Sequence, residues 1–385
     1  MSQKTLSRLG CAEGISAPSS GCCWQVSTAG VFLPFDEDRS LTVLTRDALG
    51  WSPFYMSQLE IDELEALTPA RIATVHRDRV VGFSDIGTLE LTLDPGITTA
   101  EVGVGDWVVC APEQHRLVRV LDRKTELTRG TEYHTGEKQL IAANLDTLFI
   151  TSSCNNDFNP ARLERYLALA HDAMITPVIL LTKADQTDDP DSYVDQARSL
   201  GRNLEVVALD AKNDDVPAVL APWCGKGQTV ALAGSSGVGK TTLANALTGG
   251  NAATQAIRED DARGRHTTTG RSLHRMATGG WLIDTPGMRG LGVAEVAYGI
   301  DATFPEISEL AATCKFRDCA HESEPGCAVQ AGIAAGQVDP ERLKRFKKLK
   351  RENEQATETI AQARDRSRKF GKMVKSAIKK KPRNT

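Results

Sequence analysis

The chain has 385 residues, enough for two or three domains. Its composition, 41% hydrophobic and 25% charged, is that of an ordinary globular protein, and no apolar run is long enough to cross a membrane. Nine cysteines, an odd number, without a secretory signal argue against a disulfide scaffold. The net charge is −4, yet residues 341–385 alone carry +12 and the remainder −16. This asymmetry predicts a basic, RNA-contacting tail on an acidic body.

The first third of the chain predicts a lead segment followed by a small β-barrel. Residues 1–66 form the lead, which we expect to be partly disordered, with a helical stretch at Ala48–Glu65. Residues 67–127 contain short alternating or apolar runs that predict strands: Arg71–His76, Leu89–Leu93, Asp106–Cys110 and Arg116–Val120. Such spacing suits an OB-fold, which often binds RNA, although the alternation alone leaves an SH3-like barrel open.

A guanine-binding motif comes next, in a region predicted as α/β over residues 128–293. Val178–Leu181 reads as a parallel strand, and four candidate nucleotide ligands follow it: Thr182, Lys183, Ala184 and Asp185. Ligands bind at the carboxyl ends of such strands. The Asp185 carboxylate can accept hydrogen bonds from guanine N1–H and from the exocyclic amine. GTPases usually have asparagine in place of Thr182, and Leu209–Ala211 is a degenerate candidate for the loop that contacts guanine O6.

The phosphate-binding loop (P-loop) is the strongest motif of the chain. It fits the pattern G-x-x-x-x-G-K-[ST]. The matching residues are Gly234, Ser235, Ser236, Gly237, Val238, Gly239, Lys240 and Thr241. We predict that they bind the nucleotide together with the next residue, Thr242. A strand at Gln228–Ala233 and a helix at Thr242–Thr248 give the motif its usual flanks. Lys240 is predicted to neutralise the β- and γ-phosphates, and Thr241 to ligate Mg²⁺.

The remaining nucleotide motifs follow the P-loop. Asp284-Thr285-Pro286-Gly287 matches the Asp-x-x-Gly motif on the Mg²⁺ side, and we predict that Asp284 and Gly287 bind the nucleotide. Between it and the P-loop lies Gly264–Thr269, a candidate switch I, in which Thr267 and Thr268 compete as the Mg²⁺ ligand and Thr268 is the one we select. Met288 stands where Ras-like proteins place the glutamine that orients water. We therefore predict slow intrinsic hydrolysis, with His266 as the catalytic helper beside Lys240.

A metal cluster lies beyond the nucleotide motifs. Cys314, Cys319, His321 and Cys327 fall within fourteen residues and suit a closed tetrahedral Cys₃His zinc site. Four protein ligands leave no open position, so we predict one structural zinc per chain. Arg342–Arg351 then predicts a helix with an apolar face.

The motif order, the Gly-Arg-His-Thr-Thr-Thr stretch and the Cys₃His cluster together resemble the circularly permuted GTPases of the bacterial small ribosomal subunit, the RsgA family. In most GTPases the guanine motif comes last, whereas here it precedes the P-loop by about fifty residues. The resemblance covers about residues 70–335 and implies a multi-domain α/β protein with an N-terminal OB-fold barrel, a permuted P-loop GTPase domain and a C-terminal helical zinc-binding domain. The expected boundaries are 1–66, 67–127, 128–293, 294–350 and, for the basic tail, 351–385.

The resemblance also implies a function. We expect a cytoplasmic, monomeric GTPase that converts GTP to GDP with Mg²⁺, binds the 30S subunit and its 16S rRNA, and is stimulated by that subunit late in its maturation. Two alternatives stay open. One is a nucleotide-gated RNA-binding module whose hydrolysis is incidental. The other is a metabolic P-loop kinase, for which the sequence offers no acceptor-substrate site.

Overall fold

The computed structural model describes residues 44–130, 138–250, 271–284 and 295–357, and the backbone of two short strands nearer the N-terminus. The chain divides into two compact units, one ending at Val43 and the other beginning at Leu44. In the first unit, β1 (Trp24–Val26) and β2 (Phe32–Pro34) pair antiparallel. All elements described below belong to the second unit.

Two short helices precede the barrel and pack against it. They are α1 (Pro53–Met56) and α2 (Ile61–Ala66), and α2 begins with a reciprocal capping box between Glu60 and Glu63. Tyr55 is 2% exposed, and its ring centroid lies 5.6 Å from that of Trp107 in the barrel. The Trp51 ring meets Trp107 edge-on at 4.8 Å. Aromatic burial of this kind attaches residues 44–66, the part of the lead in the second unit, to the barrel wall.

The five strands after the lead close into an OB-fold barrel: β3 (Thr68–Val75), β4 (Val80–Ser84), β5 (Gly87–Leu93), β6 (Trp107–Ala111) and β7 (Arg116–Val120). Their order is β3-β4-β5-β7-β6, and β6 returns to β3. The third and fifth strands pair parallel and the others antiparallel. The alternation of apolar residues left an SH3-like barrel open as an alternative. The observed strand order is that of an OB-fold, so the predicted OB-fold is confirmed.

The second layer of the fold is a six-stranded α/β sheet that carries the nucleotide motifs. Its strands are β10 (Thr147–Ser153), β11 (Thr176–Thr182), β12 (Glu205–Ala208), β13 (Thr229–Gly234), β14 (Ser272–Arg275) and β15 (Trp281–Asp284). The order is β12-β11-β10-β13-β15-β14, and all neighbours run parallel except β14. The carboxyl ends of the five parallel strands therefore share one edge, whatever their order along the chain.

Helices and short connecting elements complete the GTPase layer. The α-helices are α3 (Pro160–Asp172), α4 (Pro190–Arg198), α5 (Val216–Val219) and α6 (Lys240–Thr248). Single 3₁₀ turns occur at Pro112–Gln114, Ala184–Gln186 and Ala221–Trp223. The strands β8 (Glu126–Gly130) and β9 (Lys138–Ala143) form a separate antiparallel pair.

The barrel and the GTPase sheet are physically continuous. Strand β14 pairs with barrel strand β3 through Ser272 and Thr74. Arg71 of β3 is buried and donates to the backbone oxygen of Leu49 and to the hydroxyl of Thr229, at the start of β13. One buried guanidinium thus joins the lead, the barrel and the P-loop strand, which gives these parts a shared core.

Residues 295–357, the described part of the C-terminal region, contain four helices: α7 (Ala297–Thr303), α8 (Pro305–Ala311), α9 (Ala328–Ala334) and α10 (Pro340–Thr357). Buried Glu164 of α3 accepts hydrogen bonds from Arg342 at 2.9 Å and Arg345 at 2.7 Å. Helix α7 approaches α3 so closely that a Cβ on Gly299 would lie 1.9 Å from the Ala168 oxygen. Of the helices in the described ranges, none is long and apolar enough to cross a membrane.

Candidate nucleotide site and zinc cluster

The P-loop connects β13 to α6 and depends on glycine geometry. Gly234, Gly237 and Gly239 have φ angles of +140°, +81° and +95°, which L-residues with a side chain rarely adopt. A Cβ on Gly234 would lie 2.2 Å from the backbone oxygen of Thr151. Because β10 passes so near, only glycine fits at the first position. The loop then turns directly into the first residue of α6, so backbone N–H groups and a helix N-terminus meet at one point.

Lys240 is folded over this loop. Its Nζ donates to the backbone oxygen of Gly234 at 2.8 Å and also to that of Ser235. Ser236 and Gly237 at the tip of the loop are exposed, whereas Val238 is buried. The ammonium group is therefore held at the rim of a loop whose tip is accessible to an anion, which is the placement that phosphate neutralisation requires.

The guanine loop lies beside the P-loop, as expected from the shared sheet edge. Strand β11 ends at Thr182, which is 1% exposed. Lys183 follows with a φ of +58°, and Asp185 is exposed in the adjoining 3₁₀ turn. Thr182 Oγ1 lies 2.6 Å from the Val238 oxygen of the P-loop and 3.0 Å from the Ser152 oxygen of β10. The two motifs are thus in direct contact although they are far apart along the chain.

A third loop, after β12, joins the same edge. The Ala184 amide donates to the Leu209 oxygen, so the Leu209–Ala211 loop borders the guanine loop. The Asp210 carboxylate accepts a hydrogen bond from the Lys212 amide at 2.9 Å, and this bond holds the pKa of Asp210 below its usual range. Asp210 therefore caps its own loop with its side chain, which leaves base contact at this position to the backbone.

The Mg²⁺-side residues frame the other flank of the P-loop. Strand β15 pairs with β13 and ends at half-buried Asp284. Thr241 is exposed in the first turn of α6, next to half-buried Thr242. A hydroxyl and a carboxylate at one sheet edge are oxygen donors of the kind that Mg²⁺ prefers. His266, Thr268 and Gly287 lie outside the described residues, as do Met288 and the segment after residue 357.

Sequence reasoning missed Arg162. This exposed residue in the first turn of α3 donates from Nη1 to Ser235 Oγ of the P-loop at 2.5 Å. The helix begins there because Asn159 caps it and Pro160 occupies the first turn. An Asn-Pro start six residues after the end of a parallel strand was a usable signal, because it places the helix N-terminus, and any cation in its first turn, at the ligand edge of the sheet.

The four metal-ligand candidates converge in the C-terminal region. Their donor atoms all lie within 4.8 Å of one another. Cys314 Sγ lies 3.9 Å from Cys327 Sγ, and each of these sulfurs is 3.6 Å from His321 Nδ1. A tetrahedral zinc with Zn–S bonds of about 2.3 Å needs sulfurs about 3.8 Å apart. The cluster therefore fits zinc. The His321 oxygen accepts hydrogen bonds from Gln330 and Lys347, which tie the ligand loop to α9 and α10.

A parallel sheet with a P-loop on its central strand, and a guanine loop earlier in the chain at the same edge, defines a circularly permuted P-loop GTPase. Comparisons with known proteins agree with this class. A family model described as RsgA GTPase matches residues 120–294, and one described as 50S ribosome-binding GTPase matches residues 229–361.

Curated relatives cover most of the chain. A protein of Mesorhizobium japonicum named small ribosomal subunit biogenesis GTPase RsgA is 58% identical over 80% of this chain and 90% of its own length. RsgA 2 of Vibrio vulnificus is 44% identical over 86% and 94%. The chain belongs to the RsgA GTPase family, and it is a GTP hydrolase.

Solved structures support the fold. YjeQ from Thermotoga maritima aligns with a TM-score of 0.55 over 74% of this chain and 97% of its own, at 23% identity. YloQ, described as a circularly permuted GTPase, aligns with a TM-score of 0.52 over 73% and 92%, at 24% identity.

Proposed function

We propose that this GTPase acts in the late maturation of the small ribosomal subunit, to which it binds and which stimulates its GTP hydrolysis. The observation that carries the proposal is the relative with 58% identity over 90% of its length, which is named for small-subunit biogenesis. The geometry of the site adds a physical basis, because every described nucleotide motif lies at one sheet edge.

The reaction is the hydrolysis of GTP to GDP and phosphate. The P-loop N–H groups and Lys240 bind the phosphates, while Asp185 accepts the two guanine donors and the stem of Lys183 covers the base. Thr241, Thr268 and Asp284 would hold Mg²⁺, which supplies charge neutralisation between the β- and γ-phosphates when bound. Such preorganised charge lowers the barrier by stabilising the transition state rather than GTP itself.

The attacking water needs a partner that the P-loop does not supply. Met288 has no polar atom to orient it, so we assign that role to His266 in switch I. Subunit binding would bring His266 into place, so we expect slow hydrolysis by the free protein. This assignment has its own signature: His266→Ala should lower stimulated turnover far more than basal turnover.

Zinc in the Cys314–Cys327 cluster is a structural cofactor in this account. Three thiolates and one imidazole complete its coordination, so the metal folds the ligand loop and takes no part in hydrolysis. Hydrogen bonds from Gln330 and Lys347 to the His321 oxygen connect its loop to α9 and α10.

The 16S rRNA is the partner that the charge distribution favours. On α10 the exposed cations Lys344, Lys348 and Arg351 recur at i, i+4 and i+7 and therefore share one face. The residues after them are strongly basic, while the body carries −16 and would be repelled by phosphate. We place the protein in the cytoplasm, where ribosomal subunits mature, and expect it to be a monomer.

Two rival readings make different predictions. A nucleotide-gated RNA-binding module would bind 30S subunits without faster turnover. A large-subunit GTPase, which the description of the second family model suggests, would respond to 50S subunits instead. GTP turnover measured alone, with purified 30S and with purified 50S subunits separates all three, with Lys240→Ala as the inactive control.

A further inference from the structure

Thr182 has a hydrogen-bonding arrangement that is unusual for a base ligand. Its hydroxyl is buried and lies between two backbone oxygens, those of Val238 in the P-loop and Ser152 in β10, at 2.6 and 3.0 Å. Gly239 of the P-loop packs on the same side chain, because a Cβ there would meet Thr182 Oγ1 at 3.6 Å. Thr182 is thus packed directly under the loop that receives the phosphates.

Donor counting decides what this hydroxyl can do. A threonine hydroxyl has one hydrogen, whereas an asparagine amide has two. Both neighbours of Thr182 Oγ1 are acceptors, so its only hydrogen is used within the protein. Of the edges of guanine, Asp185 takes the one that carries N1–H and the amine. The other polar edge carries N7 and O6, which are acceptors as well. Thr182 has no hydrogen left to give them.

We propose that Thr182 is a positioning residue: it ties the P-loop to the guanine loop and makes no hydrogen bond to the base. This inference rests on the proposed assignment of Thr182–Asp185 as the guanine loop. It has a functional consequence. Base affinity depends on Asp185 and on stacking, so the protein releases GDP faster than it would with asparagine at position 182.

The first test needs no variant. In 7-deaza-GDP the N7 acceptor is replaced by C–H, and the rest of the nucleotide is unchanged. The unmutated protein should bind GDP and 7-deaza-GDP with affinities equal within about twofold, because no hydrogen bond is lost. A preference for GDP of about fivefold or more would overturn the proposal. Failure to bind either nucleotide would instead refute the guanine-site assignment itself.

The second test adds the missing donor. Thr182→Asn has nearly the same volume, and it can keep the bond to Val238 while it offers a second N–H to the base. Release of fluorescent GDP in stopped flow should slow about fivefold, the effect of one added hydrogen bond of about 1 kcal/mol. The variant should also acquire a preference for GDP over 7-deaza-GDP. Unchanged release together with no such preference would contradict the donor argument.

The third test removes the tether. Thr182→Val keeps the shape and deletes the hydroxyl, so the backbone oxygens of Val238 and Ser152 lose the one hydrogen that lies between them. GDP release should accelerate about tenfold, and the amides of residues 234–240 should exchange faster with deuterium. Thr182→Ser, which retains the hydroxyl, is the matched control and should restore slow exchange. Equal rates of GDP release and of amide exchange in the valine and serine variants would show that the hydroxyl does not connect the two loops.

Discussion

Within the described residues, two cations contact the P-loop, and they come from different elements. Lys240 belongs to α6 and donates to the loop's own backbone, while Arg162 reaches it from α3 through the Ser235 hydroxyl. The first is part of a recognisable motif and the second is not. Their roles can be separated by substitution, because only Lys240 lies in the segment that defines phosphate binding.

Arg162→Ala should weaken GTP binding about three- to tenfold, because the P-loop loses a charge-assisted hydrogen bond that fixes Ser235. Equilibrium titration with a fluorescent GTP analogue measures this loss, and Arg162→Lys should recover part of it. Ser235→Ala is the matched partner. If Arg162 acts through Ser235, the variant that combines both substitutions should bind GTP with about the same affinity as the single variants. Fully additive losses would mean that the contact is incidental.

We propose that Asp185 determines the choice of base. Asp185→Asn should shift the preference from GTP toward xanthosine triphosphate, because xanthine has an acceptor where guanine has its amine and the amide can donate to it. Competition binding against both nucleotides measures the shift. The unmutated protein should strongly prefer GTP to ATP, and equal affinity for the two would remove Asp185 from its assigned role.

At the scale of elements, the zinc loop and the two helices that hold it form one structural unit. Cys319→Ala removes one of four ligands, so zinc content should fall from about one per chain toward zero. Hydrogen exchange in residues 312–335 should then accelerate, while GTP affinity is retained, because the P-loop contacts lie on other elements.

Cys110→Ala is the control for the zinc experiment. Cys110 is buried in the barrel and remote from the cluster in sequence, so its loss should leave zinc content at one per chain. Zinc that persists in the Cys319 variant, at the level of the control, would refute the Cys₃His assignment.

The sequence predicted these elements unevenly, for physical reasons. Apolar runs bounded by glycine and other turn residues predicted the P-loop strand, α6 and four of the barrel strands. Strand β4 was missed because Gly82 interrupts its pattern; a Cβ at this position would lie only 3.2 Å from the Arg71 oxygen of the neighbouring strand. Nothing local in a sequence reports such a cross-strand approach.

Contacts between distant elements were also beyond the sequence. The buried Glu164 lies on an otherwise apolar face of α3, and its two arginine partners are far along the chain in α10. The predicted tail boundary at residue 351 falls inside α10, which continues to Thr357. Asn353 explains the extension, because it is buried and its Oδ1 accepts the Val296 amide. Asn353 can be buried in the helix because the Val296 amide, which is distant in sequence, satisfies its side-chain oxygen.

At the scale of the whole molecule, chain order and sheet order are independent. The guanine loop precedes the P-loop in sequence, yet β10 and β11 place it beside the P-loop because parallel strands end at one edge. Circular permutation therefore changes the order of the motifs along the chain but keeps them together at the same edge of the sheet. One consequence is that Asp284 and the first ligand candidate of the Cys₃His cluster, Cys314, are only 30 positions apart along the chain.

The basic C-terminal segment should give RNA affinity that does not depend on nucleotide. Residues 358–385 carry ten Lys or Arg and two Asp or Glu, and they follow Thr357, the last residue that the structure describes. Deleting them should weaken 30S binding and flatten its dependence on salt, because fewer counterions are released. GTP hydrolysis without the subunit should stay unchanged. Binding that keeps its affinity and its salt dependence would assign RNA recognition to the barrel and to α10.

The central claim is that the small subunit activates this GTPase, and one measurement addresses it directly. GTP turnover is followed with and without purified 30S subunits, with 50S subunits and Lys240→Ala as controls. The account predicts slow basal turnover, a large increase with 30S subunits, no comparable increase with 50S subunits, and no activity in the Lys240 variant. Turnover that 30S subunits leave unchanged would contradict it.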